Sequence, residues 1–337
     1  MFKELLIFNF LYKWKYILAF LKSKLNKIPV TKSVNTITYV AREVDQQWIF
    51  GAKVRRLSQF STLNAKAYYH NKLRNLPVSD GYFFIFPQYF CRALRHNPFI
   101  LKKKIIVMFT HTNWTSSYSK THIIWCLNIV DKVICLNSEV KKQLITDGLE
   151  ASKIEVLHIA SSASTFTSHM RNSQTVGFCS AFGDRKNPEM VYQLVKNMPH
   201  MHFFLIGKNW EKYEKYEKLI RFSNFTYYNN QPYENYPDYY HQIDVFVSPS
   251  TLEGGPVPVL EAMLSNCIPV ASKTGFCPDI ISHGENGFLF DVDADYSTVM
   301  RLIEQAAKDT KTNVRATVME HTWENCSKKI DQLFTEL

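Results

Sequence analysis

The sequence has no CxxC pair, no charge-free run of about twenty apolar residues, no internal repeat of 20–50 residues and no evident nucleophilic side chain. Its seven cysteines stand singly at 91, 126, 135, 179, 267, 277 and 326. That pattern excludes a zinc ribbon, and the odd total argues for a reducing compartment rather than a disulfide scaffold. Residues 1–28 are rich in Phe, Leu, Ile, Tyr and Trp but carry six lysines, and Lys13 and Lys15 interrupt the stretch at its middle. A spanning helix is therefore not expected, and the lack of a small-residue cleavage site argues against a secretory signal. Two readings of the segment remain, a basic amphipathic helix lying in a membrane interface and an ordinary core helix.

Acidic residues are also scarce in one half. Residues 1–165 hold 24 Lys and Arg against 9 Asp and Glu, whereas residues 166–337 hold 16 against 21. A basic half suggests an anionic partner: nucleic acid, an anionic membrane surface or a phosphorylated substrate. What is present in quantity is apolar residue, 46% of 337 positions, enough for real cores in one large or two medium domains and incompatible with a wholly disordered chain.

Beyond residue 35, short β-branched or aromatic runs alternate with longer segments of helical period. Candidate strands cover 36–40, 65–69, 81–86, 105–110, 132–136 and 153–157, and a second series covers 175–181, 201–206, 225–228, 244–248, 268–271 and 287–290. This alternation predicts an α/β protein of two Rossmann-like, doubly wound domains with parallel sheets, meeting at a boundary within the Ser/Thr-rich stretch 160–174. Ligands of such sheets bind at the carboxyl ends of the strands, so function is expected in the strand-to-helix loops and in a cleft between the domains.

The most specific stretch is DVFVSPSTLEGGPVPVLEAMLSNCIPVA, 244–271. A strand leads through a loop into a helix with Pro256 near its first position, where the missing N–H costs nothing. Gly254 and Gly255 leave bare backbone where a helix N-terminus offers unpaired N–H groups and partial positive charge, a cradle for a phosphate or diphosphate. Glu253 and Glu261 are eight positions apart. At about 1.5 Å per helical residue they spread across such a diphosphate, able to accept hydrogen bonds from hydroxyls on either side, as a nucleotide sugar would present them.

With Ala262-Met263, Ile268-Pro269-Val270 and His283-Gly284-Glu285-Asn286-Gly287-Phe288-Leu289, the E-x7-E pair Glu253/Glu261 resembles the retaining GT-B glycosyltransferases, in particular the large family 4 that uses nucleotide-sugar donors. The resemblance runs from about residue 36 to the end. It implies that Glu253 contacts the donor sugar and Glu261 the ribose. Residues 177–188 (GFCSAFGDRKNP) resemble the first strand and loop of the nucleotide-binding domain, which gives Lys186 the role of pairing with the donor diphosphate. Where the family usually has an arginine about five residues before that lysine, Ala181 stands, and Arg185 is the candidate substitute. His111, in MFTHTNW after a predicted strand, resembles the family's histidine that reaches the sugar. Residues 132–149 resemble a further segment of the first domain. One departure is sizeable: in place of a Gly-Gly pair after the first strand the chain reads Arg42-Glu43-Val44-Asp45-Gln46-Gln47-Trp48.

The resemblance implies a GT-B fold organised as a basic amphipathic segment 1–30, an acceptor-binding domain 31–165, a nucleotide-sugar-binding domain 166–320 and a C-terminal helix 321–337 packing back toward the N-domain. The expected activity is hexosyl transfer from a nucleotide diphospho-sugar to a hydroxyl of a glycan or lipid-linked glycan, with retention, in cell-surface polysaccharide or glycolipid synthesis. Catalysis is expected from Glu253, His111 and Lys186, with donor binding by Glu261, Gly254, Gly255, Pro256, Arg185 and Lys186. The protein is expected to lie in the cytoplasm, peripheral on the inner face of the membrane. No cofactor or metal is predicted: Asp291, Asp293 and Asp295 form a D-x-D-x-D run that reads as loop and helix-start residues. Two other classes stay open, a non-catalytic GT-B-fold binding subunit and a basic nucleic-acid-binding protein, the latter without a recognisable RNA-binding motif.

Overall fold

The structure, a computed structural model, describes residues 33–47, 49–110, 118–171 and 175–337. Its described residues fall into two compact units, one formed by the chain up to Leu157 together with Trp323–Leu337, the other by His158–Thr322. The predicted segment 1–30 and His111 lie outside the described residues.

The first unit holds a six-stranded sheet of Thr36–Ala41 (β1), Asn64–Tyr69 (β2), Gly81–Phe84 (β3), Lys104–Phe109 (β4), Lys132–Cys135 (β5) and Ile154–Val156 (β6) in the order β2-β1-β3-β4-β5-β6, parallel throughout. Parallel strands are covered on both faces, and the sequence obeys: every residue of β3 is buried, as are the last five of β1 and of β4. Tyr39 and Phe83 meet across β1 and β3 with ring centroids 5.1 Å apart. The helix Trp323–Glu336 belongs to this unit. Its Asp331 accepts hydrogen bonds from Ser61 Oγ (2.7 Å), Thr62 N (2.6 Å) and Thr62 Oγ1 (2.9 Å), and its Ser327 Oγ donates to Leu57 O at 2.8 Å. The Phe334 ring lies so close over Gly81 that a Cβ there would sit 2.7 Å from it.

The second unit repeats the plan with Thr175–Cys179 (β7), His202–Gly207 (β8), Phe225–Asn229 (β9), Val245–Ser248 (β10), Ile268–Ser272 (β11) and Phe288–Phe290 (β12), again all parallel, in the order β12-β11-β10-β7-β8-β9. All twelve strands fall where the alternation of sequence places them, shifted by a few residues at their ends. The fold is α/β with two doubly wound parallel sheets. Helix starts are capped by side chains the sequence supplies, among them Asn187 before Pro188–Asn197 and Asp295 before Tyr296–Lys308. All seven cysteines are free.

Candidate functional site

In the second sheet the strand order reverses between β7 and β10, so the loops leaving their carboxyl ends run to opposite faces and open a crevice there. After β7, Asp184–Lys186 form one tight turn, and Asn187 follows in the left-handed region at φ 52°. Asn187 Oδ1 accepts from Met190 N at 3.2 Å, and Pro188 opens the next helix. Lys186 is thus held immediately before a capped helix start. This loop is seated on β8: Ser180 O accepts from Trp210 Nε1 at 2.9 Å, and Gly207 approaches so near that a Cβ would stand 1.9 Å from the same oxygen. Trp210 is itself buried.

After β10, residues 249–256 lead to the helix Val257–Leu264. Pro256 occupies the cap position rather than the first helical one, because Val257 N turns back on Gly255 O at 2.9 Å. The two loops are joined. Thr251 N donates to Arg185 O at 2.8 Å, Arg185 Nη1 donates to Leu252 O at 3.0 Å, and Ser272 Oγ of β11 donates to Ser250 O at 2.5 Å. Arg185 Nη1 is ion-paired with Glu253 Oε1 at 2.8 Å, and Lys186 Nζ donates to the same oxygen. The Glu253 and Lys186 side chains are only 9% and 16% exposed, whereas Arg185 is 52% exposed.

Gly255 is packed rather than merely bare: a Cβ there would meet Ile159 Cγ2 and the Phe276 ring at 3.2 Å. A third glycine, Gly275, was not singled out by sequence. It adopts φ +56°, and a Cβ on it would stand 2.9 Å from Pro256 Cδ, 3.1 Å from Glu253 Cβ and 3.1 Å from Gly254 O. It is the floor of the Glu253–Pro256 loop, and its only sequence signal is its place in a loop after β11.

Glu261 is not a solvated helix residue. It is 2% exposed, and its Oε1 accepts from Tyr233 Oη while its Oε2 accepts from Tyr240 Oη at 3.2 Å. Burial pushes its carboxyl up to about 7, although the hydroxyl donors pull the other way. Tyr240 is wholly buried against Phe166 and Phe246, with ring centroids 5.5 and 5.7 Å away. The tyrosines come from the Tyr-rich stretch 211–240, in which nothing local distinguishes Tyr233 and Tyr240 from their neighbours. At its other end the Val257–Leu264 helix is held by Arg315, whose guanidinium donates to Leu264 O and Phe166 O and, at 2.7 Å, to Ala163 O. A cation at the last carbonyls of a helix also opposes its dipole.

A small pocket opens beside these groups, lined by Lys186, Pro256 and Pro258 with Cys179, Ser248 and Trp210. The second unit thus brings Arg185, Lys186, Glu253, Gly254, Gly255 and Pro256 together, with Glu261 behind them on the helix. Asp295 is a helix cap, accepting from Thr298 N at 2.8 Å, and Asp291 pairs with Lys273 at 2.9 Å, so the D-x-D-x-D run is spread over a loop and a helix start. In the first unit, the residues that replace a Gly-Gly pair form the turn Glu43–Asp45, in which Arg42 lies 5.1 Å over the Tyr89 ring and Tyr89 Oη donates to Asp45 Oδ2.

Residues 165–319 match the model of the family described as Glycosyl transferases group 1. No curated protein matches the chain. Among solved structures, Anabaena HepE in complex with UDP and glucose is similar at 14% identity and a TM-score of 0.70, covering 90% of this chain and 100% of that one. Sucrose-phosphate synthase from Thermosynechococcus elongatus matches at 13% identity and a TM-score of 0.75, over 90% of this chain and 98% of that one. The apo form of the lipopolysaccharide outer core galactosyltransferase WaaB matches at 16% identity and a TM-score of 0.71, over 90% and 100%. The crevice at the β7/β10 reversal therefore lies in a region that matches the Glycosyl transferases group 1 family, on a chain whose fold is GT-B.

Proposed function

We propose that the protein is a retaining hexosyltransferase of the family 4 type, moving a sugar from a nucleotide diphospho-sugar to a hydroxyl of a glycan or lipid-linked glycan, in cell-surface polysaccharide or glycolipid synthesis. The observation that carries the reading is the convergence of Lys186 and Arg185 on Glu253 beside the Gly254-Gly255 loop and the start of the Val257–Leu264 helix. Two cations beside the Gly254-Gly255 backbone, with the partial positive charge of the following helix start, form a cradle suited to a diphosphate, and Glu253 stands where a sugar attached to it would present hydroxyls. The family match over 165–319 supports the same chemistry, as do the fold likenesses to a UDP- and glucose-bound protein and to a galactosyltransferase.

In this reading Lys186 and Arg185 take the donor diphosphate, neutralising charge as the leaving group departs, and Glu253 orients the sugar. Glu261 accepts from the ribose, exchanging the Tyr233 hydroxyl for a ribose hydroxyl. His111 is assigned to the sugar by resemblance alone. With no nucleophile required of the protein, catalysis rests on positioning and on stabilising the departing diphosphate, and no metal or cofactor takes part. The basic first half is assigned to the acceptor. An anionic, lipid-linked acceptor fits its charge, as does a peripheral site on the cytoplasmic face of a membrane; among the described residues no helix is long and apolar enough to cross one.

The test is nucleotide release from a panel of nucleotide sugars in the presence of polyprenyl-linked and free glycan acceptors. Wild type should turn over at least one donor, and Glu253→Ala and Lys186→Ala should fall by about 10²-fold or more, as expected for lost transition-state contacts. Release by the intact protein no faster than by these variants across the panel would leave a binding subunit as the answer.

A further inference from the structure

Away from the donor loops, three ligating side chains converge in the first unit. Cys91 lies on the helix Pro87–His96 that follows β3, while His122 and Cys126 lie on the helix Lys120–Asn128 that follows β4. His122 and Cys126 are four residues apart and so share a helix face. The sulfurs of Cys91 and Cys126 and a ring nitrogen of His122 all lie within 4.8 Å of one another. Cys126 Sγ is 3.6 Å from His122 Nε2. Zinc bonds of about 2.3 Å to sulfur and about 2.0–2.1 Å to nitrogen, set at a tetrahedral angle, place those two atoms about 3.6 Å apart. The observed spacing is the edge of such a tetrahedron.

We propose that Cys91, His122 and Cys126 are a zinc site that fastens these two helices of the first unit together. Two thiolates and an imidazole are a donor set for zinc or copper(I). Charge favours zinc: two thiolates cancel the 2+ ion, whereas copper(I) would leave a net negative charge. Both sulfurs are fully buried, and Phe90, Leu94, Ile123 and Leu127 on the same helices are buried with them, surroundings in which an uncompensated charge is costly. The Tyr118 ring stacks on His122 at 5.1 Å and 14°, fixing the plane of the imidazole. Binding releases one proton from each thiol to solvent. The site is remote in sequence from any metal motif, since Cys91 and His122 are 31 positions apart.

The experiment uses the full chain, stripped with a chelator, reduced and then titrated. Zinc should bind at one equivalent in competition with a chromogenic chelator. Cobalt(II) in its place should give the near-ultraviolet thiolate-to-metal band of a two-sulfur site. Zinc added to the stripped wild type should slow maleimide labelling of two thiols through local opening in moderate denaturant, mapped by mass spectrometry to Cys91 and Cys126. Cys126→Ser should lose the cobalt band, His122→Ala should lose tight one-equivalent binding, and Cys179→Ser should change neither. The wild-type shielding experiment stands even if Cys126→Ser fails to fold. Cobalt binding without the thiolate band, shielding at other cysteines, or a reductant-sensitive Cys91–Cys126 crosslink that forms without metal would overturn the proposal.

Discussion

Arg185 and Lys186 both pair with a single oxygen of Glu253, Oε1. In the absence of a diphosphate the carboxylate therefore neutralises the two cations proposed to receive it, and a bound diphosphate has to compete with Glu253 for them. Glu253→Gln should then bind nucleoside diphosphates about fivefold more tightly, an effect of about 1 kcal/mol, while losing transfer. Lys186→Ala should bind them about 10–100-fold more weakly, the usual range for a lost hydrogen bond to a charged group. Calorimetric titration with a series of nucleoside diphosphates at two salt concentrations decides it; weaker diphosphate binding by Glu253→Gln would remove this reading of the contact.

The Glu261 carboxyl, pushed up to about 7 by burial, makes stability depend on pH with a definite sign. Its folded value lies above the ordinary one of about 4.5, so the fold prefers the protonated form. The stabilisation is complete below about pH 4.5 and is lost as pH rises through about 7, at a total of about 3 kcal/mol. Glu261→Gln should match wild type near pH 5 and be the more stable protein at pH 8. Tyr233→Phe removes a donor that lowers this value and should extend the loss to higher pH and enlarge its total. Denaturant midpoints across pH 5–8 report both, and parallel profiles for wild type and Glu261→Gln would contradict the assignment.

Gly275→Ala places a methyl group 2.9 Å from Pro256 Cδ at a backbone angle of φ +56°. A cost of about 1–3 kcal/mol follows from strain and overpacking together. Because the methyl presses on the loop that carries Glu253, donor affinity should fall along with melting temperature. A mere loss of stability, with donor affinity unchanged at a temperature where the variant is folded, would show that the loop does not depend on this floor.

Asp331 makes three hydrogen bonds to Ser61 and Thr62 and is 4% exposed. Asp331→Ala should destabilise the first unit by about 2–4 kcal/mol, leaving two hydroxyls and a backbone N–H without their acceptor. Limited proteolysis should then cut between residues 310 and 323 earlier than in wild type. Equal cleavage rates would mean that apolar contacts such as Phe334 over Gly81 hold the helix unaided.

Strand positions were legible because each strand is a short apolar or aromatic run between helical periods, and parallel strands buried on both faces leave that trace. The loop proposed to hold the donor was legible as a loop for a similar reason: Glu253, Gly254, Gly255, Pro256 and Glu261 are close in sequence, and their order alone encodes a loop feeding a helix start. Local order could not say that Glu253 would be tied to Arg185 and to Lys186, the latter 67 positions away, on the far side of the strand-order reversal, nor that two hydroxyls out of a tyrosine-rich stretch would meet on Glu261.

The sequence by itself determined the α/β class, the two parallel series and which loop carries the carboxylates, because periodicity and turn chemistry are properties of neighbouring residues. Only the tertiary structure decided which oxygen the cations share, that Gly275 supports the loop, that Glu261 is buried, and that Cys91 meets His122 and Cys126 across two helices. Those are relations between side chains brought together by the order of strands in a sheet, and strand order is a consequence of packing that no local pattern contains.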